Sequence, residues 1–285
     1  PDRRMSAWGR NEVISNPAAS LIAVLIAIFW TVPTAGLLIT SFRPQADIRR
    51  SGWWTVFVDP AFTLDNYGEA LQANNMLNSF VNSFIITIPA VIIPIILALL
   101  AAYAFAWIDF KGRSILFAAV FALQVIPIQV TLIPLFRTLV KLGIYNTYLA
   151  LILPYIAFGI PFSTFLIRAY IMGLPRELEE AAFIDGAGPW GVFMRVIVPL
   201  SRPVIASAMV IEAMRAWNEF MFALTFIESD KLRTLTIGIS AFQSTLRAEY
   251  TVVMAGLAIA AIPMILVFLV AQGQLIRGLT AGAVK

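Results

Sequence analysis

Glu212, Arg215, Asn218 and Glu219 stand inside an otherwise apolar run that extends from Val204 to Phe226. Spacings of three and four put both carboxylates and the guanidinium on one face of a helix. Glu212 with Arg215, and Arg215 with Glu219, can largely neutralise each other and leave one formal negative charge. At bilayer depth each charge costs at least about 2.5–3.5 kcal/mol, so this face must look into a helix bundle or a wet cavity. Two roles are open for it. It can line a polar path through the bundle, or it can be a structural ion-pair ladder, since structural networks also gather charges.

Other chemistry is narrowly bounded. The chain contains no Cys and no His, which excludes disulfides, thiolate or His-dependent catalysis and His/Cys metal sites. No Lys follows a Gly, so the phosphate-cradling G-x-x-x-x-G-K-[ST] loop is absent and any ATP and Mg must be bound by a partner. The sequence therefore predicts no catalytic, cofactor-binding or metal-binding residue in this chain. Net charge is +4 with a pI near 9.6, but the basic residues form no stripe and nucleic acid is rejected as a partner.

The elements that must position the charged run are membrane spans. Hydrophobic residues make up 60% of the chain and charged ones 13%, where a soluble domain has about 25% charged. Mean hydropathy is +0.86. So much apolar surface calls for lipid as the solvent and an all-α integral membrane protein. Spans are expected near residues 18–40, 80–107, 115–136, 148–170, 204–226 and 251–276, with tails at 1–17 and 277–285. The first is read as retained, because its charge-free run exceeds the apolar core of a signal peptide. Pro89, Pro94, Pro127, Pro134, Pro154, Pro161 and Pro263 fall inside spans, where they bend helices and free carbonyls that neighbours must satisfy. Ser41 to Ser79 reads as a polar stretch in which Trp53 and Trp54 anchor at the water–lipid boundary and a helix begins near Asp65. Glu228 to Glu249 reads as a mixed-charge loop able to meet a soluble partner.

Residues 175–203 form the most charged segment of the chain, P-R-E-L-E-E-A-A-F-I-D-G-A-G-P-W-G-V-F-M-R-V-I-V-P-L-S-R-P. Pro175 suits a first helical position and Gly186 a helix end with φ > 0. Glu177, Glu179 and Glu180 meet the positive end of the helix dipole. A second helix is expected to start at Pro189 and to stop before Pro199. Leu178, Ala181 and Ala182 make a narrow small-residue face that another chain can approach closely.

Glu180-Ala181-Ala182, Gly186 four positions beyond Ala182, nine further residues and then Val196-x-Val198-Pro199 resemble the cytoplasmic coupling loop of ABC importer permeases. Asp185-Gly186-Ala187 is similar to the centre of that loop in sugar permeases, while Val196 and Val198 replace the more usual Ile and Leu. Trp217-Asn218-Glu219-Phe220 resembles the W-N-[DE]-F signature of the same group, which favours the path role for the charged face. The tail Gly278 to Lys285 is similar to the end of the second permease of maltose-type carbohydrate importers. Ser41-Phe42-Arg43-Pro44 and Gly52-Trp53-Trp54 resemble permeases for α-glucosides.

This resemblance implies a six-span type I ABC importer permease fold in the cytoplasmic (inner) membrane of a bacterium or archaeon, with both termini cytoplasmic. It also implies a second, different permease, an ATPase dimer, an extracytoplasmic sugar-binding protein and inward transport by alternating access. Glu180, Ala181, Ala182, Asp185, Gly186 and Pro199 would couple to the ATPase. Lys plus Arg favours that orientation, eleven on the side of the termini against eight opposite, in line with the positive-inside rule. The alternatives are an ABC permease for a polyamine or glycerol phosphate, an ion-coupled secondary transporter using Glu212 or Glu219, and a membrane scaffold or channel subunit.

Overall fold

The computed structural model describes residues 17–244 and 250–280, so the N-terminal basic tail and the last five residues lie outside the description. Among the described residues all regular structure is helical. Four helices are each long and apolar enough to cross a membrane: α1 (Pro17–Phe42), α4 (Met76–Trp107), α7 (Leu149–Ile171) and the apolar part of α13 (Tyr250–Thr280). Short helices α2 (Gln45–Arg50) and α3 (Asp65–Gln72) follow α1. Asp65 sits where a helix start is expected, its N–H bonded to Thr63 Oγ1 at 3.1 Å.

Two expected spans are broken. Residues 115–136 do not form one helix: α5 (Arg113–Ala122) ends in a tight turn, and α6 (Ile128–Lys141) leaves it at 96°. Pro127 forces Ile126 into extended backbone, ψ 118°, because its ring excludes the helical conformation before it. The 204–226 run is likewise two helices, α10 (Arg202–Trp217) and α11 (Met221–Phe226). Residues 175–203 supply α8 (Glu177–Ile184) and α9 (Pro189–Leu200), and α9 meets α10 at 72°. If each bent pair is one span, six spans result.

Helix α9 also corrects the expectation that it stops before Pro199. It runs through the proline because a wider turn over Phe193–Ile197 intervenes, with Val198 N–H reaching back five residues to Phe193 O. Such a bulge relieves the clash between a proline ring and the preceding turn. The segment from Glu228 is not a plain loop either, since Leu235–Ser244 forms helix α12; Arg247 and Glu249 lie outside the described residues.

The described chain divides into two compact units. One holds the chain to Leu71 and α13 as far as Ile259; the other holds Gln72–Ser244 and α13 from Ala260. Within the second unit, α4 and α7 lie side by side. Ala98, Ala102 and Ala106 repeat every four residues on α4 and are buried, so the two backbones approach closely. At one end Tyr103, Trp107, Ile167, Ile171, Val192, Phe193, Ile197 and Val204 form a core that seats α9 against α4 and α7. At the other, Ile86, Leu151, Tyr155, Phe222 and Phe226 pack α11 against α4 and α7.

Candidate functional site

The segment that resembles a coupling loop is built as an exposed knuckle on a buried stem. Helix α8 ends in a double-bonded turn: Ala187 N–H reaches Ala182 O and Gly186 N–H reaches Phe183 O, both at 3.0 Å. This pattern requires the residue after the helix end to be left-handed, and Gly186 has φ +82°. A Cβ there would meet no atom within 4 Å, so the demand is one of backbone conformation alone. Glu180, Ala181, Asp185 and Gly186 are exposed, Ala182 and Pro199 half-buried. Around them Ile184 is 86% and Trp190 65% exposed, with Phe183, Leu178 and Met194 also open. An apolar patch of this kind, rimmed by carboxylates, marks an interaction surface. Trp190 and Tyr103 both pack on Phe193, with ring centroids 5.2 and 5.5 Å away. Phe193 thus joins Trp190 of the knuckle to Tyr103 at the end of α4. Burial pushes the half-buried Glu179 carboxyl up from its ordinary pKa; Arg176 opposes this, and Glu180 and Asp109 reinforce it.

The charged run is arranged differently from the three-residue ladder its spacing predicts. Glu212 is 1% exposed, and Arg215 Nη2 lies 2.7 Å from its Oε2. Arg215 Nε donates to the same oxygen at 3.0 Å, and Ser163 Oγ donates to Oε1 at 3.2 Å. Further donations from Arg215 reach Phe158 O and Tyr155 O of α7 at 3.3 and 3.4 Å. Gly159 makes room, since a Cβ there would come within 3.2 Å of both charged groups. The Arg215 side chain as a whole remains 38% exposed.

Glu219 does not join this pair. The α10 helix ends at Trp217, and Asn218 folds its Nδ2 back onto Met214 O at 2.8 Å. Glu219 then begins a new element. Its Oε1 accepts from Phe222 N–H at 2.8 Å, and its Oε2 accepts from Ala223 N–H at 3.2 Å and from Tyr155 Oη at 2.7 Å. It is a helix cap for α11 held by α7. Thr236 of α12 donates to its backbone carbonyl at 3.0 Å. A cavity of about 20 Å³ bounded by Ile128, Tyr155, Phe158, Arg215, Ala216, Glu219 and Phe222 adjoins it. That is room for about one water, not for a sugar ring.

Tyr155 and Ser163 donate to the two carboxylates, and sequence reasoning missed both. Their signal is present: Tyr155, Gly159 and Ser163 recur every four residues, which puts them on one helical face. Both oxygens of the Glu219 cap accept, so Glu219→Gln sets an NH2 donor against a backbone N–H and should lower the thermal stability of the assembled protein in detergent. Glu219→Ala should lower it by about 1–2 kcal/mol, as loss of a cap does, and Tyr155→Phe, which keeps both N–H bonds to the carboxylate, should cost least.

Residues 94–280 match the family described as binding-protein-dependent transport system inner membrane component. The chain belongs to that family. This inner membrane component is 42% identical over 270 residues to the osmoprotective compounds uptake permease protein of Synechocystis, covering 93% of this chain and 91% of the relative. It is 37% identical over 258 residues to the alpha-glucoside transport system permease protein of Rhizobium meliloti, covering 86% and 68%. It is 34% identical over 261 residues to the arabinooligosaccharides transport permease of Halalkalibacterium halodurans, covering 91% and 93%. Among solved structures, one chain of a bacterial ABC transporter that imports the acidic polysaccharide alginate superposes with a TM-score of 0.76 at 22% identity, covering 93% of this chain and 98% of that one. The fold is thus that of an ABC importer permease, and family membership sets aside the ion-driven carrier and the scaffold.

Proposed function

We propose that this chain is one of two permease subunits of an ATP-driven importer that moves a sugar inward by alternating access. A di- or oligosaccharide, including an α-glucoside, is the solute class that fits best. The observation that carries the reading is the α8 knuckle: an exposed Glu180-Ala181-Ala182 turn closed by Gly186 at φ +82° and seated through Phe193 and Ile197 on the ends of α4 and α7. An ATPase dimer, which binds ATP and Mg, closes beneath it. Glu180 supplies the polar contact, Ala181 and Ala182 allow close approach, Asp185 and Gly186 form the bend, and Pro199 marks the stem that passes motion to α10. Both termini and this knuckle face the cytoplasm, and an extracytoplasmic binding protein delivers solute to the far side. Arg215 offers its part-exposed side chain to the path, while Glu212 and Glu219 hold the walls and Asn218 ends α10. Coupling of this kind needs a two-state element that a ligand biases.

The sugar reading rests on the names of relatives such as the alpha-glucoside and arabinooligosaccharide permeases. A second reading, uptake of an osmoprotective compound, is favoured by the 42% identical relative of that name. Purifying the tagged chain from its native host should bring down a P-loop ATPase and a second multi-span protein. In liposomes with the binding protein, ATP hydrolysis should rise on adding an α-glucosidic disaccharide. A rise with a zwitterionic osmolyte and none with any sugar would select the second reading, and uptake by this chain alone would end both.

A further inference from the structure

The apolar surface of this protein does not end where α1 ends. Residues 52–64, G-W-W-T-V-F-V-D-P-A-F-T-L, connect α2 to α3 and carry one charge, Asp59. Trp53 folds back along α1, where a Cβ on Gly36 would come within 3.0 Å of its Nε1. Gly36 precedes Phe42 by six residues, so at 1.5 Å per residue Trp53 lies roughly 9 Å down the helix from its end. The far end of the segment is fastened to the last turn of α1 by a bond from Thr63 N–H to Phe42 O at 2.6 Å. Its middle is held by buried Arg43, whose Nη1 donates to Asp59 O at 2.9 Å. Asn66 then clasps Ser41 O and Arg43 O at 2.8 and 2.9 Å. Held this way, the segment remains level with the end of the apolar helix.

What it presents outward at that level is apolar. Phe57 is 81% and Val58 87% exposed, and Trp54, Phe62 and Leu64 are open as well. Leu38 and Phe42 of α1 continue the same character, while Arg49 and Arg50 at the end of α2 are exposed cations. Aromatic side chains at a span end and adjacent arginines are the composition of a surface that lies in the lipid headgroup region.

We infer that residues 53–64 form an interfacial foot that rests in the phospholipid leaflet at the C-terminal end of α1, with Trp54, Phe57, Val58 and Phe62 among the acyl carbonyls and Arg49 and Arg50 at the phosphates. The foot fixes the depth of α1 in the bilayer. The chain has no cysteine, so single replacements Phe57→Cys, Val58→Cys and, as a solvent reference, Glu69→Cys each accept one nitroxide label. Both apolar side chains are exposed, so neither change removes core packing. In the assembled complex in nanodiscs of mixed zwitterionic and anionic phospholipid, labels at 57 and 58 should collide several-fold less with a water-soluble nickel chelate than the label at 69, and more with oxygen. Nickel access at 57 and 58 equal to that at 69 would overturn the inference. So would shielding that appears only when the binding protein is added, since the surface would then be a protein dock.

Discussion

Replacing Gly186 by valine should abolish coupled transport while leaving the protein in the membrane. At φ +82° an ordinary L-residue costs about 1–2 kcal/mol, and a β-branched one is a true outlier there. An energy of that size changes a two-state ratio by about 5- to 30-fold. The open space around the position removes the usual objection that a side chain collides, because a Cβ meets nothing within 4 Å. Gly186→Asn is therefore the informative partner. Asparagine tolerates the left-handed region, so it should retain most uptake and most stimulation of ATP hydrolysis by the binding protein, with alanine intermediate and valine lowest. The check is initial uptake and stimulated hydrolysis in proteoliposomes, normalised to the amount of assembled complex. Equal activity of the valine and asparagine proteins would remove Gly186 from the coupling device.

The knuckle can be read from the chain because its signals are local. The early glutamates and Gly186 each act within one turn, and the backbone they require is the one observed, whereas Pro175 precedes α8 by two residues instead of taking its first position. The breaks in the expected spans are less legible. Pro127 is visible, but whether it kinks a helix or ends it depends on the neighbours that accept the freed groups, and those are distant in sequence. Helical periodicity reads Asn218-Glu219 as a continuation of one charged face. The competing signal is capping: a carboxylate three residues ahead of Phe222 can bond its N–H and start a new helix. Periodicity describes which face a residue shares only while the helix continues. Tyr155 and Ser163 escape notice for a related reason, since a hydroxyl in an apolar span has no visible partner until α7 and α10 lie together.

The pair left in the charged run leads to a second large effect, and to a way of separating the two roles open for it. Removing one partner of a buried ion pair costs about 3–5 kcal/mol, whereas replacing both with uncharged side chains is often neutral. The two partners are unequal. Glu212 is 1% exposed and Arg215 38%, so the charge stranded by Arg215→Met has no access to water, while the one stranded by Glu212→Gln can be partly hydrated. Arg215→Met should therefore impair assembly with the second permease more than Glu212→Gln does. The double change Glu212→Gln with Arg215→Met should restore assembly, seen as recovery of a monodisperse complex. Its uptake should nevertheless stay low, because the exposed Arg215 side chain assigned to the path is gone and a buried amide at position 212 cannot replace it. A double variant that assembles and transports like wild type would make the pair a structural clasp between α7 and α10 and move the solute contacts to other residues.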